Sequence, residues 1–392
     1  MRLRAREVGI PFSGTPGKLN AITDVPGLEV GMSTLRKGEG KLELGRGPVR
    51  TGVTAILPRG RDDARPCFAA WETLNAAGEM TGTVWLDERG LYEGPILITN
   101  THEVGIVRDA SIQWMRRSGI EFLFATPIVA ETFDGLLNDI DGGHIKSEHV
   151  FEALDGARGG PIPEGNVGGG TGMITYEYKG GTGTASRQLS ETDGGYIVGV
   201  LVQSNYGERR HLRLGGLKVG EQLLDDMPKF MDRRLLSPEF QGKYARWLGG
   251  DTQGTPKAGE GSIIVIVATD APLLPHQLKR LAKRPALAIG RLGGVGSASS
   301  GDIFLAVSTA NESVGEAGGE NARSYTIDMH PNLAMTSLFE AVIDATEEAI
   351  VNAMVAADAM EGVNRLFVPA LPIERVREIL AGHNLLAETA KD

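Results

Sequence analysis

The sequence contains a single cysteine, Cys67, in 392 residues. One thiol cannot form an intrachain disulfide, and a buried apolar position is its expected place. Basic residues are in the minority, 40 against 50 acidic ones, for a net charge of −10. That balance argues against a nucleic-acid or anionic-membrane protein and favours tolerance of a cationic substrate or a free amine. No apolar run is long enough to cross a bilayer. The stretch from Met1 to Glu7 carries basic residues with no apolar segment behind them, so no secretory signal is read and the cytoplasm is the expected compartment. Internal repeats, coiled-coil heptads and a regular βαβ rhythm are all missing. Glycine, by contrast, is abundant at 54 residues, roughly twice average usage. Without a collagen-like period, it signals many tight turns and glycine-lined backbone sites.

Several familiar site patterns also fail. Asp139 and Asp141 stand beside glycines, but the twelfth position of a calcium loop begun at Asp139 is Val150 rather than glutamate. His144 and His149 are five apart, which does not suit a helical zinc pair, and they are read as solvated or capping. The run from Gly165 to Gly172 lacks the lysine and spacing of a P-loop and does not match a dinucleotide fingerprint. It reads as a glycine loop feeding the strand-like segments 173–178 and 196–203.

The remaining pattern is a mixture of strands and helices. Short apolar strands are expected at 28–31, 53–57, 96–100, 122–126 and 302–309, with a loop or hairpin between Lys37 and Arg50. Helices are expected at 104–117, at 275–283 with Pro275 in the first position, and as a short tail from Pro372. A long helix is expected from Ser337, with Ser337 and Glu340 as a capping box, a face of Val342, Ala345, Ala349, Ala353 and Ala357, and a stop at Gly362. Residues 131–143 read as loop. The charged, proline-punctuated segment 225–261 reads as an exposed excursion. These elements suggest an α/β fold in layers rather than a doubly wound sheet.

The stretch from Gly259 to Asp270 organises the chemistry. A glycine-rich loop meets Ser262, which opens a run of β-branched residues typical of a buried strand. A serine so placed can attack the carbonyl of Gly261, move the acyl group from nitrogen to oxygen and let water cut the ester. Glycine at 261 suits the strained backbone this needs. The product is a serine with a free α-amine, of ordinary pKa about 7.7–8.0, that can act as its own general base. Taken alone, a Gly-Ser pair before a strand is more simply a flexible loop.

Other motifs stand around it: Leu19 to Gly27, Gly78 to Gly82, Ile98 to His102, Val129 to Thr132, Gly199 to Asn205, and Gly296 to Asp302. Together with the Gly261-Ser262 junction, and in this order, they resemble the DmpA-type aminopeptidases. That family includes the β-peptidyl aminopeptidases, self-processing hydrolases with an N-terminal serine nucleophile. The resemblance implies a four-layer αββα sandwich, a single self-processing unit over 1–392. Its fragments would be an α-chain 1–261, ending in the exposed segment 225–261, and a β-chain 262–392 that begins at the nucleophile. It implies no metal or cofactor, a small peptide or amino-acid amide as substrate, and a homo-oligomer, a tetramer of cleaved αβ units.

Site roles follow from the same resemblance. Ser262 is the nucleophile. Ser300 and Asp302 match the catalytic serine and acidic partner, and their alternate spacing puts both side chains on one side of an extended backbone. Asn205 is the oxyanion-hole asparagine, with an Asx turn at Tyr206-Gly207 as its plain alternative. Glu131 receives the substrate's amino group, against the simpler reading of a surface loop acid. Phe133 departs from members that carry tyrosine there, so either another donor, such as a backbone N–H, completes the hole or Phe133 only shapes the pocket. His330 is read as structural. His102 lies beside the Asn100-Thr101 motif and is given no role. Acyl transfer to an amine on a related self-processing fold, and an uncleaved non-catalytic binding protein, stand as alternatives to hydrolysis. A Ser-Ser-Lys amidase is disfavoured because no lysine fits.

Overall fold

The computed structural model describes residues 3–120, 122, 124–238, 261–314 and 323–388. Most of the presumed excursion, residues 239–260, therefore lies outside the described residues. Elements are numbered in chain order over those described.

Two sheets form the centre. The first, of four strands, runs β1 (Glu29–Lys37), β2 (Val49–Leu57), β5 (Ile96–Asn100), β6 (Ile128–Thr132). The second, of six strands, runs β4 (Leu91–Tyr92), β3 (Cys67–Ala76), β13 (Gly301–Ser308), β12 (Ser262–Thr269), β10 (Ile197–Asn205), β9 (Gly181–Gln188). Smaller pairings join β7 (Ile174–Thr175) to β8 (Tyr178–Lys179), and β11 (Lys229–Phe230) to β15 (Leu366–Val368) and β14 (Met360–Glu361). The helices are α1 (Thr83–Arg89), α2 (Val104–Arg117), α3 (Ser147–Asp155), α4 (Pro275–Ala282), α5 (Pro285–Arg291), α6 (Thr336–Val355) and α7 (Ile373–Gly382).

The period-two alternation of the strands sorts their side chains into layers. On β12, Ile264, Ile266 and Ala268 face the first sheet, where they meet Ile96, Ile98, Ile128 and Ala130. Ile263, Val265 and Val267 face the other way, onto Leu278 and Leu281 of α4 and Val342, Ala345 and Ala349 of α6. The outer face of the first sheet, with Val53, Ala55, Leu97 and Val129, packs on Val107 and Trp114 of α2 and Val150 and Leu154 of α3. The order is helix, sheet, sheet, helix, the expected αββα sandwich. Both faces of the central strands are dry, which is why β12 reads as a continuous apolar run. Gly183 of β9 lets α6 approach closely, since a Cβ there would lie 2.0 Å from the Ala349 carbonyl oxygen.

Several expectations need correction. Residues 122 and 124–126 are not strand, and Pro127 precedes the real strand β6, which the hydrophobic pattern placed too early. Glu131 and Thr132 belong to β6 rather than to a loop. Helix α6 starts at Thr336 with Met335 at its N-cap and no side-chain cap bond, so Ser337 and Glu340 make no capping box. It ends at Val355 with Ala356 as C-cap, leaving Ala357 beyond the helix and Gly362 without a capping part. The segment 173–178 breaks into β7 and β8 because Tyr176 and Glu177 take positive φ, 50° and 59°.

Candidate active site

Three strand ends converge on Ser262. It begins β12, lies opposite Asn205 at the end of antiparallel β10, and pairs on its other side with Gly301 at the start of parallel β13. Each neighbour is bounded by a glycine turn, with Gly207 at φ 94° after β10 and Gly296 at φ 60° before β13. The nucleophile candidate thus sits on rigid, buried backbone, 6% exposed.

The Gly301 N–H points at the junction. It reaches the Ser262 Oγ at 3.3 Å and the Gly261 carbonyl oxygen at 3.2 Å, a shared three-centre donor. Gly261 itself is hemmed in. A Cβ there would lie 2.5 Å from the Asn205 carbonyl oxygen and 2.8 Å from the Tyr206 Cα, both backbone atoms.

Asn205 does not form an Asx turn. Its Oδ1 accepts from the Ile174 N–H at 2.8 Å, and its Nδ2 donates to the Phe133 carbonyl at 2.9 Å. A peptide N–H can only donate and a carbonyl can only accept, so these partners fix the amide's orientation. One Nδ2 hydrogen is left for an oxygen at Ser262. Phe133, 43% exposed, touches this arrangement through its backbone carbonyl, not its ring.

Ser300 and Asp302 are brought together as their spacing predicts. Ser300 Oγ lies 2.7 Å from Asp302 Oδ2 and 2.8 Å from the Ser297 carbonyl. Asn75 was missed by sequence reasoning. Its Nδ2 donates to Ser300 Oγ at 3.1 Å and to the Ser297 carbonyl at 3.0 Å. A bulge in the β3–β13 pairing, where Asp302 faces Asn75 but Ile303 faces Thr73, sets Asn75 directly across from Asp302. Burial pushes the Asp302 pKa up, against the hydrogen bonds of Ser300 and Asn75 that hold it down. Asp302, Ser300, Tyr206, Glu208, His211 and Gly261 line one small cavity at the junction.

Glu131 is not a surface acid, being 2% exposed. Its Oε1 accepts from the Glu79 N–H at 2.9 Å and its Oε2 from the Thr101 hydroxyl. Burial raises its pKa, opposed by those two donors, with Glu79 nearby adding to the rise and His102 opposing it. A Cβ on Gly78 would lie 2.8 Å from Glu131 Oε1 and 3.3 Å from the Gly301 Cα, so only that glycine separates the carboxylate from the nucleophile's neighbour. The motifs holding Gly78, Glu79 and Thr101 therefore meet here, although their individual parts were not legible. The other histidines lie in minor settings. His102 Nδ1 is 2.7 Å from Asp141, His144 pairs with Asp139 at 2.9 Å, and His149 accepts from the Lys146 N–H at 3.0 Å. His330 packs edge-on against Tyr196.

Comparison with known proteins shows the family. The family model "Peptidase family S58" matches residues 20–367. The chain is 53% identical over 384 residues to the β-peptidyl aminopeptidase BapA of Sphingosinicella microcystinivorans, covering 98% of this chain and 93% of that one. Among solved structures, it superposes with a TM-score of 0.85 on the L-aminopeptidase D-Ala-esterase/amidase of Ochrobactrum anthropi, described as a prototype serine aminopeptidase and a variant of the Ntn hydrolase fold. That match is 42% identical and covers 98% of this chain and 99% of the other. A Burkholderia sp. β-aminopeptidase matches with a TM-score of 0.82 and 43% identity, over 97% of this chain and 99% of that one. This chain belongs to peptidase family S58, as a serine-type aminopeptidase of the N-terminal-nucleophile hydrolase fold.

Proposed function

We propose that the chain cuts itself between Gly261 and Ser262 and that the new N-terminal Ser262 is the nucleophile of an aminopeptidase and amidase. The observation that carries this reading is the Gly301 N–H shared between the Gly261 carbonyl oxygen and the Ser262 Oγ. A donor on the scissile carbonyl stabilises the oxyanion that forms there. In self-cleavage, Oγ bonds to the Gly261 carbonyl carbon as its proton leaves. The C–N bond breaks with protonation of the nitrogen, which frees the Ser262 amine, and water then hydrolyses the ester to a Gly261 carboxylate and the free Ser262 hydroxyl.

In turnover the substrate's ammonium group rests on Glu131, the buried carboxylate one glycine away from Gly301. Ser262 Oγ attacks the first carbonyl with its own α-amine as base. Asn205 Nδ2 and the Gly301 N–H stabilise the oxyanion. This backbone donor supplies what Phe133, lacking a hydroxyl, cannot. The leaving amine takes a proton, and water releases the acyl group. Ser300 and Asp302, aligned by Asn75, organise the amine's surroundings. The likeness to two proteins named for β-peptides extends the proposal to N-terminal β-residues. The proposal also takes the protein as a cytoplasmic homo-oligomer of cleaved units. No described helix is long and apolar enough to cross a membrane, and exposed Val295 and Leu333 offer apolar surface for assembly.

The test is turnover of L-alanine and β-alanine p-nitroanilides by the purified protein. Release of p-nitroaniline by the wild type and none by Ser262→Ala is expected. Equal release by both would overturn the assignment of the nucleophile.

A further inference from the structure

The described residues hold one buried amine for which the proposed reaction has no use. Lys179, on β8, is 0% exposed. Its Nζ donates to the Met173 carbonyl at 2.7 Å and to the Gly180 carbonyl at 2.8 Å. Taking an ammonium out of water with carbonyls as its hydrogen-bond partners is costly; the Arg36 charge adds to that cost and the Asp134 carboxylate opposes it. Burial accordingly lowers its pKa well below the usual lysine value. Two of its N–H groups serve the two carbonyls.

The hairpin does not need these bonds to close. The Met173 carbonyl already accepts from the Gly180 N–H at 3.0 Å, and Lys179 is fixed by its own N–H on the Pro369 carbonyl at 2.7 Å. A methionine of similar length would fill the same space without a polar group to bury. What the amine adds is a donor to the Gly180 carbonyl and a second donor on the Met173–Ile174 peptide unit. The other end of that same unit is the Ile174 N–H, which holds Asn205 Oδ1 at 2.8 Å. A donor on a peptide's oxygen polarises the unit and strengthens its N–H as a donor, by roughly 10–30% per bond in a chain.

A second anchor faces it. The Phe133 carbonyl that takes Asn205 Nδ2 belongs to the peptide unit shared with Asp134, which is 0% exposed. Asp134 Oδ1 accepts from Asn138 Nδ2 at 3.0 Å, and the Asp134 carbonyl takes the Leu137 and Asn138 N–H groups at 2.9 and 3.0 Å. Asn205 is thus clamped between two peptide units, one backed by Lys179 and one by the turn at Asp134.

We infer that Lys179 is a positioning residue for catalysis, acting through the Met173–Ile174 peptide to hold the Asn205 amide with its free N–H aimed at the oxyanion. This rests on the oxyanion role proposed for Asn205, and the test separates the two. Cleaved wild type, Lys179→Met, Asn205→Ala and the double variant are compared on the better of the two p-nitroanilides, with thermal unfolding to establish that each is folded. Loss of one oxyanion donor costs about 10²–10³ in kcat, and that is expected of Asn205→Ala. Lys179→Met should lose about 10-fold in kcat with KM within about twofold, because a misaimed donor weakens only transition-state binding. The double variant should fall no further than Asn205→Ala.

Asn205→Ala at wild-type kcat would remove the oxyanion role and the inference with it. An effect of Asn205→Ala with folded Lys179→Met at wild-type kcat, or with losses that multiply in the double variant, would overturn the role of Lys179 alone. Should Lys179→Met fail to fold, a crystal structure of the wild type with a peptide aldehyde decides. Asn205 Nδ2 on the hemiacetal oxygen, with the Lys179–Met173 and Ile174–Asn205 bonds kept, is expected. Asn205 Oδ1 turned away from Ile174 would overturn the inference.

Discussion

Replacing Glu131 by glutamine changes its length little and removes one buried negative charge. The wild-type carboxylate accepts from the Glu79 N–H at 2.9 Å and from the Thr101 hydroxyl. Glutamine keeps an oxygen for the Glu79 N–H, and the Thr101 hydroxyl can rotate to accept from the new NH₂. The fold should therefore lose at most about 1 kcal/mol, one ordinary hydrogen bond. The substrate's ammonium loses far more, since hydrogen bonds to charged groups are worth about 1.5–3 kcal/mol. At about 1.36 kcal/mol per tenfold, kcat/KM for free-amine peptides should fall about 10- to 150-fold. Most of it should lie in KM, because the ammonium is bound alike in ground and transition states. The stability has its own signature. Burial raises the Glu131 pKa in the folded protein above the unfolded value of about 4.3. The folded state then binds the proton more tightly, and stability falls as pH rises from the unfolded pKa through the folded one. Glutamine abolishes that loss, so the Tm of Glu131→Gln relative to wild type should improve from acid to neutral pH. The assay is kcat/KM on a dipeptide amide and on its N-acetyl form, which the wild type should not turn over. Equal turnover of free and acetylated peptide, or an unchanged kcat/KM in Glu131→Gln, would refute the placement of the amine.

Asp302→Asn, where cleavage still occurs, should shift the acidic limb of the pH–rate profile to lower pH. A nearby carboxylate favours the charged amine and raises its pKa, and asparagine removes that pull. A limb that stays put in an active variant would reduce Asp302 to a structural partner of Ser300. Gly261→Ala should slow self-cleavage by about tenfold or more, because its Cβ meets backbone atoms at 2.5 and 2.8 Å and the junction must shift. A time course on a denaturing gel measures this, and an unchanged rate would show that the close fit at Gly261 does not matter.

What was legible in the sequence followed local pattern. The run after Ser262 announced a doubly buried strand, Ile96 to Asn100 a central one, and the Ser300-Gly301-Asp302 alternation a shared side, all carried by near neighbours in the chain. What was not legible depends on distant pairing. Asn75 reaches Ser300 only because β3 lies beside β13 with a bulge at the site, and no feature near Asn75 encodes that register. Glu131 reads as an exposed loop acid, yet β6 carries it into the sheet beside the motifs at Gly78 and Thr101. Residues 122 and 124–126 failed in the opposite sense, with the strand-like aromatics Phe122 and Phe124 left outside the sheets. Lys179 would pass for a surface lysine in any local reading, and only the packing of a short hairpin under Pro369 buries it.

The central claim is that Ser262 becomes an N-terminus. Mass spectrometry of the active, purified protein under denaturing conditions tests it most directly. Two fragments are expected, residues 1–261 and 262–392, the second beginning at Ser262 with an unblocked α-amine, while Ser262→Ala stays whole and inactive. Intact, uncleaved protein that turns over substrate would contradict the mechanism.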